Sequence, residues 1–218
     1  MMRGHHTDLQ VVLVDLKKER LGIACPWDIA TEGLEMGSVV YSFGVGEDAS
    51  FEVDLIKKFN LTVHAFDPTP KSVAWVKRQD FPAKFVLHEY GVAEVDGSVR
   101  FNPPDNPDHV SYTILEKASA GGTPIFAPMK RLKTIMMELD HPRVDVLKMN
   151  IEGAEYGVIK DLDGLTVLPR QILVEFHHRF LGVDMKKTKE AFDRLIHLGY
   201  QPFSVYGMDE QFSFVLGR

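Results

Sequence analysis

Along most of this 218-residue chain, short apolar runs alternate with stretches of helical period. That alternation constrains the fold more than any other feature. A strand, a crossing helix and a second strand lie parallel, so repeated units build a mostly parallel sheet with helices on both faces. The chain therefore belongs to the α/β class. Residues 39–42 are an apolar run ending at Gly44, and residues 48–59 follow with Phe51, Leu55, Ile56 and Phe59 on one helical face. Glu52, Asp54, Lys57 and Lys58 fall off that face. The runs "LTVHAF" and "AKFVLHEYGVA" give two further strands, separated by a helix over 72–79.

The second half repeats the pattern. "KRLKTIMMELDH" reads as a helix, and "VDVLKMNIEGAEYGVIKDL" as a strand that hands over to a helix near Glu152 and Gly153. "RQILVEFHH" is another strand, and 187–198 an amphipathic helix with Ala191, Phe192, Leu195 and Ile196 inward and Gly199 as its stop. "QPFSVYG" and "EQFSFVLGR" close the chain as two strands around a Met-Asp-Glu turn, adding one antiparallel strand. The Asp-Gly of "AEVDGSVRF" suggests a β-hairpin at the sheet edge. Residues 102–128, full of turn formers, read as an irregular loop. Residues 1–38 form a leader or cover segment on a single domain spanning 39–218.

Composition narrows the function classes. Hydrophobic residues make up 44% and charged residues 26%, which is ordinary for a soluble domain. The net charge of −6, without a basic stripe, argues against a nucleic-acid partner. Cys25 is the single cysteine, so no internal disulfide supports the fold. No run approaches the ~18 apolar residues of a membrane span, and the amino terminus has no apolar signal region. The expectation is a cytoplasmic protein with a small-molecule partner, no membrane, and a monomer or homodimer left open.

In such sheets ligands bind beyond the carboxyl ends of the strands, where strand order reverses. Residues 43–50, 66–72, 90–93, 150–155 and 175–179 should meet there. Gly44 and Gly46 permit a tight turn and close backbone approach. Asp67 ends the second strand, where an acidic side chain can accept hydrogen bonds from ribose hydroxyls; its alternative role is a helix cap. "GVGEDA" formally satisfies a dinucleotide fingerprint, leaving a nicotinamide-dependent oxidoreductase open. A pyrophosphate there would face Glu47 and Asp48 without a nearby cation in sequence. S-adenosylmethionine, which carries an ammonium and a sulfonium but no phosphate, suits the acidic turn better.

The segments "SFGVGEDASFE", "VHAFDPTP", "HEYGVAEVDGSVRF", "DVLKMNIEGAEYGVIKDL" and "ILVEFHHRF", in this order and spacing, resemble the FkbM family of S-adenosylmethionine-dependent methyltransferases from about Val39 onward. The resemblance implies a class I, Rossmann-like methyltransferase fold of seven strands with the seventh inserted antiparallel. It implies methyl transfer to a hydroxyl of a sugar or secondary metabolite, with S-adenosylhomocysteine as product. It implies that Phe43, Gly44, Gly46 and Ser50 line the cofactor, that Asp67 takes the ribose beside Pro68 and Ser72, and that Gly91, Val92 and Ala93 flank the adenine. Asn150 to Glu155 would border the methionine end and the acceptor. The family usually has Asp-x-Glu-Gly where this chain has Asn150-Ile151-Glu152-Gly153. An amide can hold a group in place but cannot act as a base or an anionic ligand. A domain that binds the cofactor without catalysis is thus a further alternative.

An oxygen acceptor benefits from a general base working near ambient pH. His177 and His178 end the fifth strand, and neighbouring strand residues point to opposite faces. The alternation Val174, Phe176, His178 favours His178 as the residue facing the substrate. Glu152, on the handover itself, is the second catalytic candidate, and His177 the third. Glu155 reads as first-turn charge on a helix. Glu152, Glu175 and one histidine are metal-ligand types, but their spacing specifies no site, so no metal is expected. His64 reads as a satisfied core or edge histidine, His109 as a loop residue beside the substrate or idle. Trp27 and Trp75 read as packing anchors, with Trp27 alternatively covering the cofactor mouth.

Overall fold

A computed structural model of the chain describes residues 9, 11–103, 112–113, 123–178, 183–207 and 210–217. Its centre is a sheet of seven described strands. They are β3 (Val39–Phe43), β4 (Thr62–Phe66), β5 (Phe85–His88), β9 (Val146–Met149), β10 (Gln171–Glu175), β11 (Tyr200–Tyr206) and β12 (Gln211–Leu216). The spatial order is β11-β12-β10-β9-β3-β4-β5. Pairs among β10, β9, β3, β4 and β5 are parallel, while β12 runs antiparallel to both β10 and β11. The chain winds outward from β3 to β5, then returns to place β9 on the other side of β3. The order therefore reverses between β3 and β9, and their carboxyl ends open a crevice.

Both sheet faces are buried, which is why these strands read as nearly continuous apolar runs. Tyr41, Phe43, Phe66, Leu147, Ile172 and Val174 point to one face. There they meet α3 (Leu132–Glu138), α4 (Glu155–Asp161) and α5 (Met185–His197). Val40, Val63, Val146 and Leu173 point to the other, against α1 (Ser50–Phe59), while α2 (Pro70–Val76) precedes β5. Two side chains depart from the helical periodicity. Glu52 of α1 is 1% exposed although it lies beside the apolar stripe, and Ile196 of α5 is 44% exposed although its spacing predicts an inward position.

Within the amino-terminal segment, β1 (Lys18–Leu21) and β2 (Trp27–Ala30) pair antiparallel and cover the face that carries α1. The Gln171 side chain donates to the Ala30 carbonyl and accepts from its N–H, both at 2.9 Å, tying this hairpin to β10. One expectation needs correcting: the Asp96-Gly97 turn does not close a hairpin. β6 (Gly91–Val92) and β7 (Gly97–Phe101) each pair with β8 (Ile125–Lys130), which lies between them. Thus β8 takes the end of the stretch expected to be irregular. His109 and Arg179 lie outside the described residues.

His64, His88 and His141 gather beneath the first of these faces. His64 Nδ1 is 3.0 Å from His88 Nε2, and His141 Nδ1 is 2.7 Å from the Tyr41 hydroxyl. Burial, with its two neighbours adding to the effect, pushes His64 down to about 4. His88 and His141 are lowered too, again first by burial. The unfolded chain binds more protons than the native one between these values and the ordinary histidine value, so stability falls as pH drops through that window. Allowing for partial exposure, His64 should contribute a loss of about 1–2 kcal/mol between neutral pH and about pH 4. Urea unfolding across that range should show the slope, and His64→Phe should reduce it; an equal slope in the variant would place the acid sensitivity elsewhere.

Candidate functional site

The crevice at the strand ends holds a cavity of about 250 Å³, walled by the turns after β3, β4 and β9 together with Trp27, Phe101, Tyr112 and Met129. Each turn is held to the next. Gly44 sits at φ +81°, and a Cβ there would come 1.8 Å from the Asn150 carbonyl oxygen, so the turns after β3 and β9 touch backbone to backbone. The Gly44 N–H donates to the Phe66 carbonyl at 3.0 Å. Gly46, at φ +60°, donates its N–H to Asp67 Oδ2 at 3.0 Å.

Asp67 is 4% exposed. Its Oδ1 accepts from the Thr69 N–H at 2.9 Å and the Thr69 hydroxyl at 2.6 Å. A carboxylate has about four lone-pair positions, so the turn fills most of them and leaves acceptor capacity at Oδ2. Helix capping and ligand binding are thus compatible roles for this residue. Ser72 Oγ lies 2.8 Å from the Thr69 hydroxyl and completes this corner. Gly91 faces Met129 and Pro68 so closely that a Cβ would approach the Met129 sulfur to 2.7 Å.

Of the residues expected to bind a cofactor, Phe43, Gly44, Gly46, Asp67, Pro68, Ser72, Gly91, Val92 and Asn150 line this cavity. Ser50 and Ala93 are not in the lining. Ser50 Oγ instead accepts from the Ile23 N–H at 2.7 Å, in the connection between β1 and β2. The Ala93 N–H donates to the Lys130 carbonyl at 3.0 Å, beside β8.

The walls carry Glu47, Asp48, Glu52, Asp67 and Glu152. Burial works to raise the Asp48 carboxyl, but bonds from Ser50 and from the Cys25 N–H outweigh it and hold the group below its ordinary value. One cation faces these carboxylates among the described lining residues, and sequence order hid it. Lys148, in the middle of β9, is 4% exposed. Its ammonium donates to the Gly44 carbonyl at 2.8 Å and lies 3.9 Å from Glu52 Oε1. Glu52 Oε1 also accepts from Ser42 Oγ at 2.5 Å. The lysine therefore offsets one buried carboxylate, and the rest leave the cavity acidic. Asn150 lines the cavity, and its buried Oδ1 has no hydrogen-bond partner among the described residues.

The expected catalytic trio separates. Glu152 lines the cavity, in the left-handed backbone region at φ +52°, with its carbonyl accepting from Thr113 Oγ1. His177 and His178 are outside the lining. His177 is the more buried of the two and meets Glu152 of the cavity wall, whereas strand alternation favoured His178. The strand ends at Glu175, so its alternation does not extend to these positions. His177 Nδ1 is 3.2 Å from Glu155 Oε1, and Nε2 is 3.6 Å from Glu152 Oε2. Burial acts to lower His177, but the Glu155 bond and the charges of Glu155, Glu152 and Glu175 push it up to about 9. At neutral pH this ring is charged, so it is not the neutral base a hydroxyl would need.

A family model described as the methyltransferase FkbM domain matches residues 39–202. Probable methyltransferase-like protein 24 of Rattus norvegicus is 26% identical over 155 residues, which are 70% of this chain and 36% of that protein. The Homo sapiens protein of the same name is 26% identical over 161 residues, with the same shares covered. The chain thus matches little more than a third of the length of these relatives. The crystal structure of methyltransferase FkbM from Methylobacillus flagellatus superposes with a TM-score of 0.54 at 12% identity, over 83% of this chain and 44% of that one. That likeness speaks to an α/β methyltransferase fold alone, whereas the family match spans most of the sequence: the chain belongs to the FkbM methyltransferase family.

Proposed function

We propose that the chain transfers a methyl group from S-adenosylmethionine to a hydroxyl of a small molecule. The observation that carries the cofactor is the charge of the cavity: five carboxylates in its walls face one lysine already engaged by Glu52 and the Gly44 carbonyl. A phosphorylated cofactor would meet repulsion there, whereas a sulfonium and an ammonium are attracted. The buried Asn150 Oδ1 supports the fit, because an acceptor with no partner among the described residues suits a cationic donor group. When bound, S-adenosylmethionine supplies an electrophilic methyl group, and in-line displacement depends mainly on how well the acceptor is positioned.

In this reading Asp67 offers its remaining acceptor capacity to the ribose, and Phe43, Phe66, Val92 and Met129 supply apolar surface for the adenosine. Tyr112, Phe101 and Ile151 extend that surface towards the acceptor. The described lining contains no histidine, so a base drawn from those residues would be a carboxylate. Calorimetric titration of the purified protein with S-adenosylmethionine and with S-adenosylhomocysteine should give micromolar binding of at least one. Asp67→Ala should weaken it by ~1–3 kcal/mol, the scale of a lost charged hydrogen bond; unchanged affinity would remove Asp67 from the site. Binding of a nicotinamide dinucleotide and of neither adenosyl compound would overturn the reading. Methyl transfer to hydroxylated acceptors, followed with a labelled methyl group, separates an enzyme from a domain that only binds.

A further inference from the structure

Behind the cavity wall, three ionisable side chains form a line from the interior to the cavity. Glu155 is fully buried, yet its carboxylate is well occupied. Oε1 accepts from the His177 N–H at 3.0 Å and meets His177 Nδ1 at 3.2 Å, while Oε2 accepts from the Gly153 N–H at 2.9 Å. The far side of the ring, Nε2, lies 3.6 Å from Glu152 Oε2. Glu152 itself stands in a backbone conformation that side chains other than glycine rarely adopt. It is held from both sides, by Thr113 on its own carbonyl and by Glu155 on the next N–H. Strain maintained in this way at a cavity wall is a mark of a functional position.

We propose that His177 is a positioning residue whose charged ring, clasped by Glu155, holds the Glu152 carboxylate ionised and fixed in the cavity wall to receive a cationic centre of the bound cofactor. The proposal rests on the S-adenosylmethionine reading above. Two carboxylates and one imidazolium leave a single net negative charge, and Glu152 is the member that reaches the cavity. Without the imidazolium, two carboxylates would share a poorly solvated space, and one of them would retain a proton. Glu175 at the end of β10 adds to the field that keeps the ring charged, and the Tyr156 hydroxyl, raised mainly by burial, stays protonated beside it. The ring thus acts through Glu152 rather than on the reacting atoms.

Calorimetric titration of wild type, His177→Asn, Glu152→Gln and the double variant with S-adenosylmethionine and S-adenosylhomocysteine tests this. Either single variant should weaken S-adenosylmethionine roughly tenfold or more. The His177→Asn loss should be larger at about pH 6.5 than at about pH 8, because the carboxylate pair must then shed a proton to bind a cation. A purely structural defect would not give that pH dependence. The double variant should be no weaker than Glu152→Gln alone. Loss confined to S-adenosylmethionine identifies the sulfonium as the bound cation and equal loss of both ligands the ammonium; either supports the proposal. Unchanged affinity in His177→Asn, or losses that add fully in the double variant, overturn it. Failure of wild type to bind either ligand removes the cofactor reading beneath it and is seen before any variant is made. Should His177→Asn fail to fold, nitrogen-15 spectra of wild-type histidine rings at about pH 8 take its place. They should contain a doubly protonated ring, which a free histidine would not show there, and its absence would overturn the proposal.

Discussion

Gly44→Ala should leave the protein largely unfolded, with a loss of about 4–5 kcal/mol, the range reserved for the most disruptive single changes. Two effects act together. The backbone at φ +81° lies where an L side chain is strained, and the new Cβ would sit 1.8 Å from the Asn150 carbonyl oxygen and 2.9 Å from its carbon. Neither backbone atom can swing away as a flexible side chain would. Asn150 is also tied to the same turn, its N–H donating to the Phe43 carbonyl at 3.1 Å. Relief therefore requires β3 and β9 to separate, which opens the centre of the sheet. Gly207→Ala isolates the first effect, because Gly207 has φ +72° and a methyl group added there would meet nothing described within 4 Å. It should cost only about 1–2 kcal/mol. Chemical denaturation of both variants measures the difference, and similar losses would mean that the close approach to Asn150 adds nothing.

That contact illustrates which parts of the site can be read from sequence. Gly44, Gly46 and Asp67 are legible because a short turn after a strand demands glycine, and an acidic residue at the next strand end has a known use. The alternation of strands and helices is legible for the same local reason, and it locates the crevice. Lys148 is not legible from the acidic turn it serves, since β9 brings it 104 positions along the chain to the Gly44 carbonyl. A signal existed: a lysine within the apolar run "VDVLKMN" must find a partner if both faces of the strand are buried. Helical periodicity puts Glu52 on the polar side of α1 because it does not foresee a buried cation beside that helix. The strand β8 is hidden by Gly121, Gly122 and Pro124 just before it and by Pro128 within it, and its pairing between β6 and β7 is a tertiary choice that local turn chemistry does not specify. Strand parity does not reach the histidine pair, because the strand ends at Glu175 before either histidine.

The buried pair predicts a second large effect, and one that can be reversed. Lys148→Met should destabilise the protein by about 3–5 kcal/mol, the cost of leaving a buried charge without its partner. Glu52 is the charge left behind, with its side chain 1% exposed and, among the described residues, only Ser42 donating to the oxygen that faces the lysine. The Gly44 carbonyl would also lose its donor at the turn that forms the cavity floor. Changing both residues, Lys148→Met with Glu52→Gln, removes the two charges together, and a neutral pair in an apolar setting is often as stable as the ion pair it replaces. The double variant should therefore recover most of the loss, with a coupling energy well above the ~0.5 kcal/mol seen for independent sites. Urea unfolding of the four proteins in the cycle measures it. Losses that simply add would show that Lys148 and Glu52 are stabilised separately, and the lysine would then be an available cation in the cavity. That outcome would weaken the electrostatic case against a phosphorylated cofactor, so the cycle tests the chemistry of the site as well as its stability.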